Sequence, residues 1–209
     1  WRNAQTPLAF AATGLPVVSI NCAQGGSSLN NLVSPGSDFN QCVSLGTGLP
    51  ITSSDQIFFI WDQGEGDAFR SNPPDYYPTT LATLHANLAS AFGKTTAAAP
   101  WISAGKGTSS SWTTGVDWTV GTTTNFGWHQ MTMGLATAPN YDPHMYWFSE
   151  YDFVRTDEYH YYFTGSLKEG VRFTRYITNL LGETTGSPVF PIASAAIVDA
   201  TDTIVNVTQ

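Results

Sequence analysis

The stretch Val171-Arg172-Phe173-Thr174-Arg175-Tyr176-Ile177-Thr178-Asn179-Leu180 governs the reading of the second half of the chain. Val171, Phe173 and Ile177 alternate with Arg172, Thr174 and Tyr176, and a two-residue period is that of a strand with one face in the core. Working outward, Phe126 to Leu135 follows the same rule, with Phe126 and Trp128 on one face and Met131, Met133 and Leu135 on the other. Gly165-Ser166-Leu167-Lys168-Glu169-Gly170 then has the size of a hairpin connection between a strand at Tyr159 to Thr164 and the Val171 run. Further strands are expected at Trp112 to Val120, Met145 to Val154, Val189 to Val198 and Thr203 to Val207. Gln56 to Trp61, β-branched and aromatic throughout, reads as a strand buried on both faces.

One segment has a helical period. Leu81, Leu84, Leu88 and Phe92 recur at three- and four-residue spacing, Thr79 or Thr80 can cap the start, and Gly93 sits where a left-handed residue would stop the helix. The first 55 residues are punctuated by Gly25-Gly26, Ser34-Pro35-Gly36 and Gly46-Thr47-Gly48, which leaves room only for short strands such as Leu15 to Asn21. Thr95 to Ser111 reads as a loop with one strand. The expected fold is therefore mainly β: an antiparallel sandwich or barrel of short strands with long loops and one short helix at about 80–92. Without an internal repeat or a clean linker, residues 1–209 form a single domain.

Composition narrows the function. Sixteen acids against eight bases give a net charge of −8 and a pI near 4.7, which excludes nucleic acid as a partner, since phosphate neutralisation needs clustered Lys and Arg. Charged residues are only 11% of the chain, while Thr and Ser number 27 and 18, so the solvated surface is hydroxyl and amide. The longest apolar stretch, Pro7 to Ile20, is broken by Gly14 and Pro16 and falls short of a membrane span, so no membrane insertion is expected. The chain starts at Trp1 without a basic and then apolar leader, and is expected to be a surface or projection domain excised from a longer protein. Cys22 and Cys42 are either one disulfide or two buried thiols. The sequon Asn206-Val207-Thr208 is weak evidence for secretion.

Candidate chemistry is sparse. Glu150 and Asp152 would share one strand face about 7 Å apart, a spacing open to paired glycosidase carboxylates and equally to surface charge. Asp157-Glu158 reads as a solvated turn. Asp62, Glu65 and Asp67 lie in a glycine-rich turn and offer oxygen ligands to calcium, but they do not match a twelve-residue calcium loop, and no resident metal is expected. His85, His129, His144 and His160 lack ligand spacing. No Gly-x-Ser-x-Gly elbow supports a serine hydrolase, and Gly105-Lys106-Gly107-Thr108 fails as a phosphate loop. The anomaly is aromatic density between Trp128 and Tyr176. If strands show half of these rings to an outer face, Trp112, Trp128, Tyr146, Tyr151 and Tyr161 are candidates for a binding surface. The alternative is a sheet covered on both sides.

In length, acidic Thr- and Ser-rich composition and texture of short strands with long loops, the whole chain resembles the capsid spike (projection) domain of astroviruses, the avian type in particular. No motif carries the resemblance, and it transfers no functional residue. It implies a homodimer on the extracellular virion surface, attachment to a host-cell receptor (protein or glycan), antibody epitopes, no cofactor and no catalysis. Two other classes compete with it. A carbohydrate-binding module or lectin would stack sugars on Trp101, Trp112, Trp118 and Trp128; a secreted glycoside hydrolase would use Glu150 and Asp152.

Overall fold

The computed structural model describes residues 14–68, 75–105, 126–150 and 163–182. Its centre is a parallel sheet of three strands, β1 (Phe59–Trp61), β2 (Trp101–Gly105) and β3 (Met145–Ser149), in that spatial order. Phe59 pairs with Trp101 and Trp101 with Met145, and the register continues to Gly105 opposite Ser149. Parallel strands need long crossovers, and helices supply them. In chain order the helices are α1 (Leu29–Leu32), α2 (Ser37–Thr47), α3 (Glu65–Ala68), α4 (Tyr76–Ala91), α5 (Phe126–Thr137) and α6 (Phe163–Leu180). α3 and α4 lie between β1 and β2, α5 lies between β2 and β3, and α6 follows β3. The mainly β, antiparallel expectation is therefore overturned: this is an α/β sheet with helices on both faces.

The alternation along the strands sorts the core into two halves. Phe59, Trp61, Trp101 and Met145 face a cluster with Tyr77, Leu81, Leu84 and Leu88 of α4 and Met131 and Leu135 of α5. Ile60, Ile102, Ala104, Tyr146 and Phe148 face the other way, against Phe173, Tyr176 and Ile177 of α6. Aromatic rings fill both: Trp61 and Trp101 lie 5.1 Å apart on the first side, Phe148 and Phe173 meet edge-on at 4.8 Å on the second. A sheet covered twice can bury both of its ring sets, so the aromatic density requires no outer binding face.

Two expected strands are helices, and burial shows why. In α6 the buried residues Phe173, Tyr176 and Ile177, with Leu180 packed against them, stand at positions i, i+3, i+4 and i+7. That is a helical stripe, and the alternation of Val171, Phe173 and Ile177 coincides with it over only a few residues. The expected hairpin Gly165 to Gly170 lies inside the same helix. In α5 Met131 and Leu135 are buried four residues apart while Met133, which strand alternation would bury with them, is 48% exposed. Gly134 lets α5 approach α4: a Cβ there would stand 3.1 Å from Tyr77 and Pro78 atoms.

The remaining expectations divide. β1 lies within Gln56 to Trp61, and Thr95 to Ser111 contains β2. The helix at 80–92 is the body of α4, which starts earlier, after Asp75, and ends at Gly93 in the left-handed region (φ 67°). Cys22 and Cys42 form a disulfide. Leu15 to Asn21 has no regular structure, and its Leu15, Val17, Val18 and Ile20 are exposed. The strands expected at 112–120, 189–198 and 203–207 lie outside the described residues, as do 151–154 and most of 159–164. No helix among the described residues is long and apolar enough to cross a membrane.

The helical reading of α5 and α6 has a direct check. Phe173→Ala removes a fully buried ring and is expected to cost about 3–5 kcal/mol. Met133→Ala is expected to change stability by no more than about 0.5 kcal/mol. Urea unfolding of the two variants measures both; equal losses would restore the strand alternation.

Candidate active site

β1 ends at Trp61 and passes the chain to Asp62-Gln63-Gly64 and α3. This segment therefore stands at the C-terminal edge of the parallel strands, where open α/β sheets bind ligands. It meets the turn Gln24 to Leu29. The approach is close, because a Cβ on Gly66 would stand 2.7 Å from the Ser27 carbonyl oxygen. Gln63 Nε2 donates to that carbonyl at 2.8 Å and to Asp67 Oδ2 at 2.8 Å. The same Asp67 oxygen accepts the Leu29 N–H at 2.9 Å. Ser28 occupies the N-cap of α1 without a side-chain capping bond, so the buried Asp67 carboxylate caps that helix from another segment. Tyr77 of α4 fixes Gln63 in turn, its hydroxyl lying 3.1 Å from both the Gln63 carbonyl and Oε1. Trp61 Nε1 donates to Tyr77 at 3.1 Å.

This clamp holds Ser27, which is itself only 6% exposed. Gly26 takes a left-handed φ of 71° before it, and the Ser27 hydroxyl donates to the carboxylate of Asp38 in the first turn of α2. A serine on a tight turn ahead of a helix, with its main chain pinned and its hydroxyl held by a carboxylate, has the local features of an activated nucleophile. At the same edge, Glu150 follows β3 and Glu169 comes from α6. Their carboxylate oxygens and that of Asp62 lie within 4.8 Å of one another, with both glutamates buried. Among the described residues this is the set whose spacing suits a cation.

The opposite edge carries a second polar cluster. His85 of α4 is fully buried, with Nε2 2.8 Å from the Ala99 carbonyl and Nδ1 3.1 Å from Asp142 Oδ2. Asp142 Oδ1 accepts the His144 N–H at 2.9 Å and lies 3.0 Å from His144 Nδ1. His144 directly precedes β3 and its carbonyl accepts the Trp101 N–H, so the cluster ties α4 to the N-terminal ends of β2 and β3. Burial holds the His85 pKa below its ordinary 6.5, against the pull of the Ala99 carbonyl and Asp142. Asp142 is pushed up by burial, but the His144 N–H, His85 and the His144 side chain outweigh this and hold it below 3.8.

The structure distributes the sequence candidates widely. Asp62 and Asp67 do not converge, one facing Glu150 and Glu169 and the other capping α1; the Glu65 side chain lies outside the described residues. Trp101 is buried, with Nε1 donating to Ser103 Oγ at 2.9 Å, so it is core and not a sugar platform. Tyr146 packs in the second core cluster, 6.2 Å from the Tyr176 ring. Trp112, Trp118, Tyr151, Asp152, Asp157, Glu158, His160 and Tyr161 lie outside the described residues, as do the side chains of Trp128 and His129. Ser27 lacks the Gly-x-Ser-x-Gly frame that marks a serine nucleophile in sequence. The signal the sequence does carry is a pair of glycine-rich turns, Gly25-Gly26-Ser27-Ser28 and Gln63-Gly64-Glu65-Gly66-Asp67, each leading into a helix.

No family model matches the chain, and no curated protein does. Solved structures do match. A protein from Arabidopsis thaliana superposes with a TM-score of 0.67 at 13% identity, covering 85% of this chain and 67% of that one. A carbohydrate acetylesterase from Xanthomonas citri superposes with a TM-score of 0.69 at 15% identity, covering 95% of this chain. The chain spans 45% of the length of that enzyme. At these identities the likeness shows the fold. It nevertheless corrects the expectation of a protein without catalysis, because the same fold carries a carbohydrate acetylesterase. Of the readings drawn from the sequence, the secreted glycoside hydrolase shares with this neighbour only that it is a hydrolase related to carbohydrate; none of them is an esterase.

The His85 cluster yields a pH dependence. With a folded-state pKa below 6.5, the unfolded chain takes up the proton first. The stability contributed by the neutral ring is complete above pH 6.5 and is lost as the pH falls through the window beneath it. Asp142 adds its own loss only below 3.8. The melting temperature is expected to fall as the pH drops from 6.5 to about 5, and His85→Gln to flatten that slope. An unchanged slope in the variant would dismiss the cluster as the acid-sensitive element.

Proposed function

We propose that the protein is a serine esterase that removes small acyl groups, acetyl foremost, from a carbohydrate. The observation that carries this reading is the Ser27 hydroxyl, held by Asp38 on a turn pinned by Gln63 and Asp67 at the C-terminal edge of a parallel sheet. The acetylesterase with the same fold supports the substrate class. The resemblance to a capsid spike, with its homodimer and receptor, rests on length and composition, and no contact among the described residues adds to it.

In this mechanism Ser27 Oγ attacks the ester carbonyl carbon, and its proton passes to an imidazole. The same imidazole returns the proton to the departing sugar oxygen, and water then hydrolyses the acyl-enzyme. The chain has four histidines. His85 and His144 are committed to the other edge of the sheet, so the base is His129 or His160. His160, with Asp157 three residues before it in the sequence, is the base we assign. Asp38 orients the nucleophile. Ser28, buried at the helix cap, plays no chemical part.

The test is hydrolysis of p-nitrophenyl acetate and of acetylated xylan. Ser27→Ala and His160→Ala are each expected to lower kcat by roughly 10³-fold or more. Ser28→Ala and His129→Ala are expected to stay within about tenfold of wild type. Full activity in Ser27→Ala would refute the assignment.

A further inference from the structure

Between the 30–36 segment and α4 runs an open groove of about 580 Å³, lined by Asn30, Pro35 and Gly36 and by Tyr76, Thr79 and Thr83 of α4. One wall is built by α1, which Asp67 caps, and Gly36 in its lining is the N-cap of the helix that carries Asp38. α1 and α2 thus each connect the groove lining to the clamp that holds Ser27. Its volume is in the usual range for a small-molecule site.

Its chemistry is uniform. None of its lining residues is charged. Tyr76 presents a half-buried ring packed on the first core cluster, and its hydroxyl donates to Asn30 Oδ1, which fixes the ring. The Thr79 and Thr83 hydroxyls donate to helix carbonyls, Thr79 Oγ1 to the Asp75 carbonyl at 2.7 Å and Thr83 Oγ1 to the Thr79 carbonyl at 2.9 Å. Their oxygens are thereby left as acceptors for hydroxyl donors. An aromatic face beside a row of hydroxyl and amide groups is the lining that binds sugars, which stack a C–H face and hydrogen-bond by their rims. A net charge of −8 disfavours an anionic occupant.

We propose that this groove is a subsite for a neutral glycan chain, which it holds while an acyl group on one of its residues reaches Ser27. The inference rests on the esterase reading for the role of the bound chain, and its test is kept apart from catalysis. Unesterified xylohexaose, mannohexaose and cellohexaose are titrated calorimetrically into the wild-type protein, with hexagalacturonate as the anionic counterpart. At least one neutral hexasaccharide is expected to bind, and hexagalacturonate to bind about tenfold more weakly or not at all. Tyr76→Ala is expected to weaken the neutral sugar about tenfold or more, while Tyr76→Phe, which keeps the ring, stays within about threefold. Thr83→Trp changes an exposed helix position, so it fills the groove without touching the core, and is expected to block binding. Absence of binding by every neutral hexasaccharide would overturn the proposal. So would equal binding of hexagalacturonate, or binding that survives both Tyr76→Ala and Thr83→Trp. Sugar binding by a protein without esterase activity would remove the esterase and leave the subsite; esterase activity without sugar binding would do the reverse.

Discussion

A buried carboxylate joins the N-terminal part of this chain to its sheet: Asp67, 4% exposed, takes the Leu29 N–H and the Gln63 amide on one oxygen. Hydrogen bonds to a charged acceptor contribute about 1.5–3 kcal/mol each, and their loss in a buried site leaves donors without water. α1 has four residues and no capping bond from Ser28, so it cannot persist by propensity. It persists because Asp67 caps it and because Leu29 is fully buried in the first core cluster. The position of Ser27 follows from the same contact. Gln63 spans the gap from Asp67 to the Ser27 carbonyl, and Gly66 removes the side chain that would keep the two segments apart.

That clamp can be rigid only because the sheet behind it is. β1 has three residues, too short to be stable by itself, and it is held by pairing with β2 and by packing of Phe59 and Trp61 against Trp101. Trp61 then fixes Tyr77, and Tyr77 fixes Gln63. The line from core to site thus runs through aromatic residues with a polar tip, buried by their rings and oriented by one hydrogen bond. On the other face Phe148, Phe173 and Tyr176 play the corresponding part for α6, with the Tyr176 hydroxyl on the Trp147 carbonyl at 2.8 Å. Burial pushes the Tyr176 phenol up to about 12, so it stays a donor across the physiological range.

The elements legible in the sequence are those with one period and one reading. Leu81, Leu84 and Leu88 match no strand, and Gly93 stops their helix as expected; Phe59 to Trp61 is too short and too apolar for anything but a buried strand. Phe126 to Leu135 and Val171 to Leu180 read as strands because aromatic and β-branched residues favour them, while the burial that makes these segments helical is tertiary. In α6 the decisive residue is Tyr176: strand alternation assigns it to the polar face with Arg172, and the structure buries it beside Phe173. The candidate site is less legible still. Ser27, Gln63 and Asp67 are brought together by a close backbone approach at Gly66, and nothing local to Gly25-Gly26-Ser27 announces a contact with a segment so far along the chain.

The two polar clusters divide the labour of the fold by edge. At the N-terminal ends of the strands, the Ala99 carbonyl, His85, Asp142 and His144 lie within contact of one another and hold α4 where it can carry Tyr76 and Tyr77 to the other end. Among the described elements, α4 therefore links the acid-sensitive cluster, the Ser27 clamp and the neutral groove. A displacement of α4 at His85 would be felt at Tyr77, and through Gln63 at Ser27, before any residue of the C-terminal edge had itself been altered. Loss of stability in acid and displacement of the Ser27 clamp should thus share an origin in this helix, although the groups that titrate and Ser27 lie at opposite ends of the sheet.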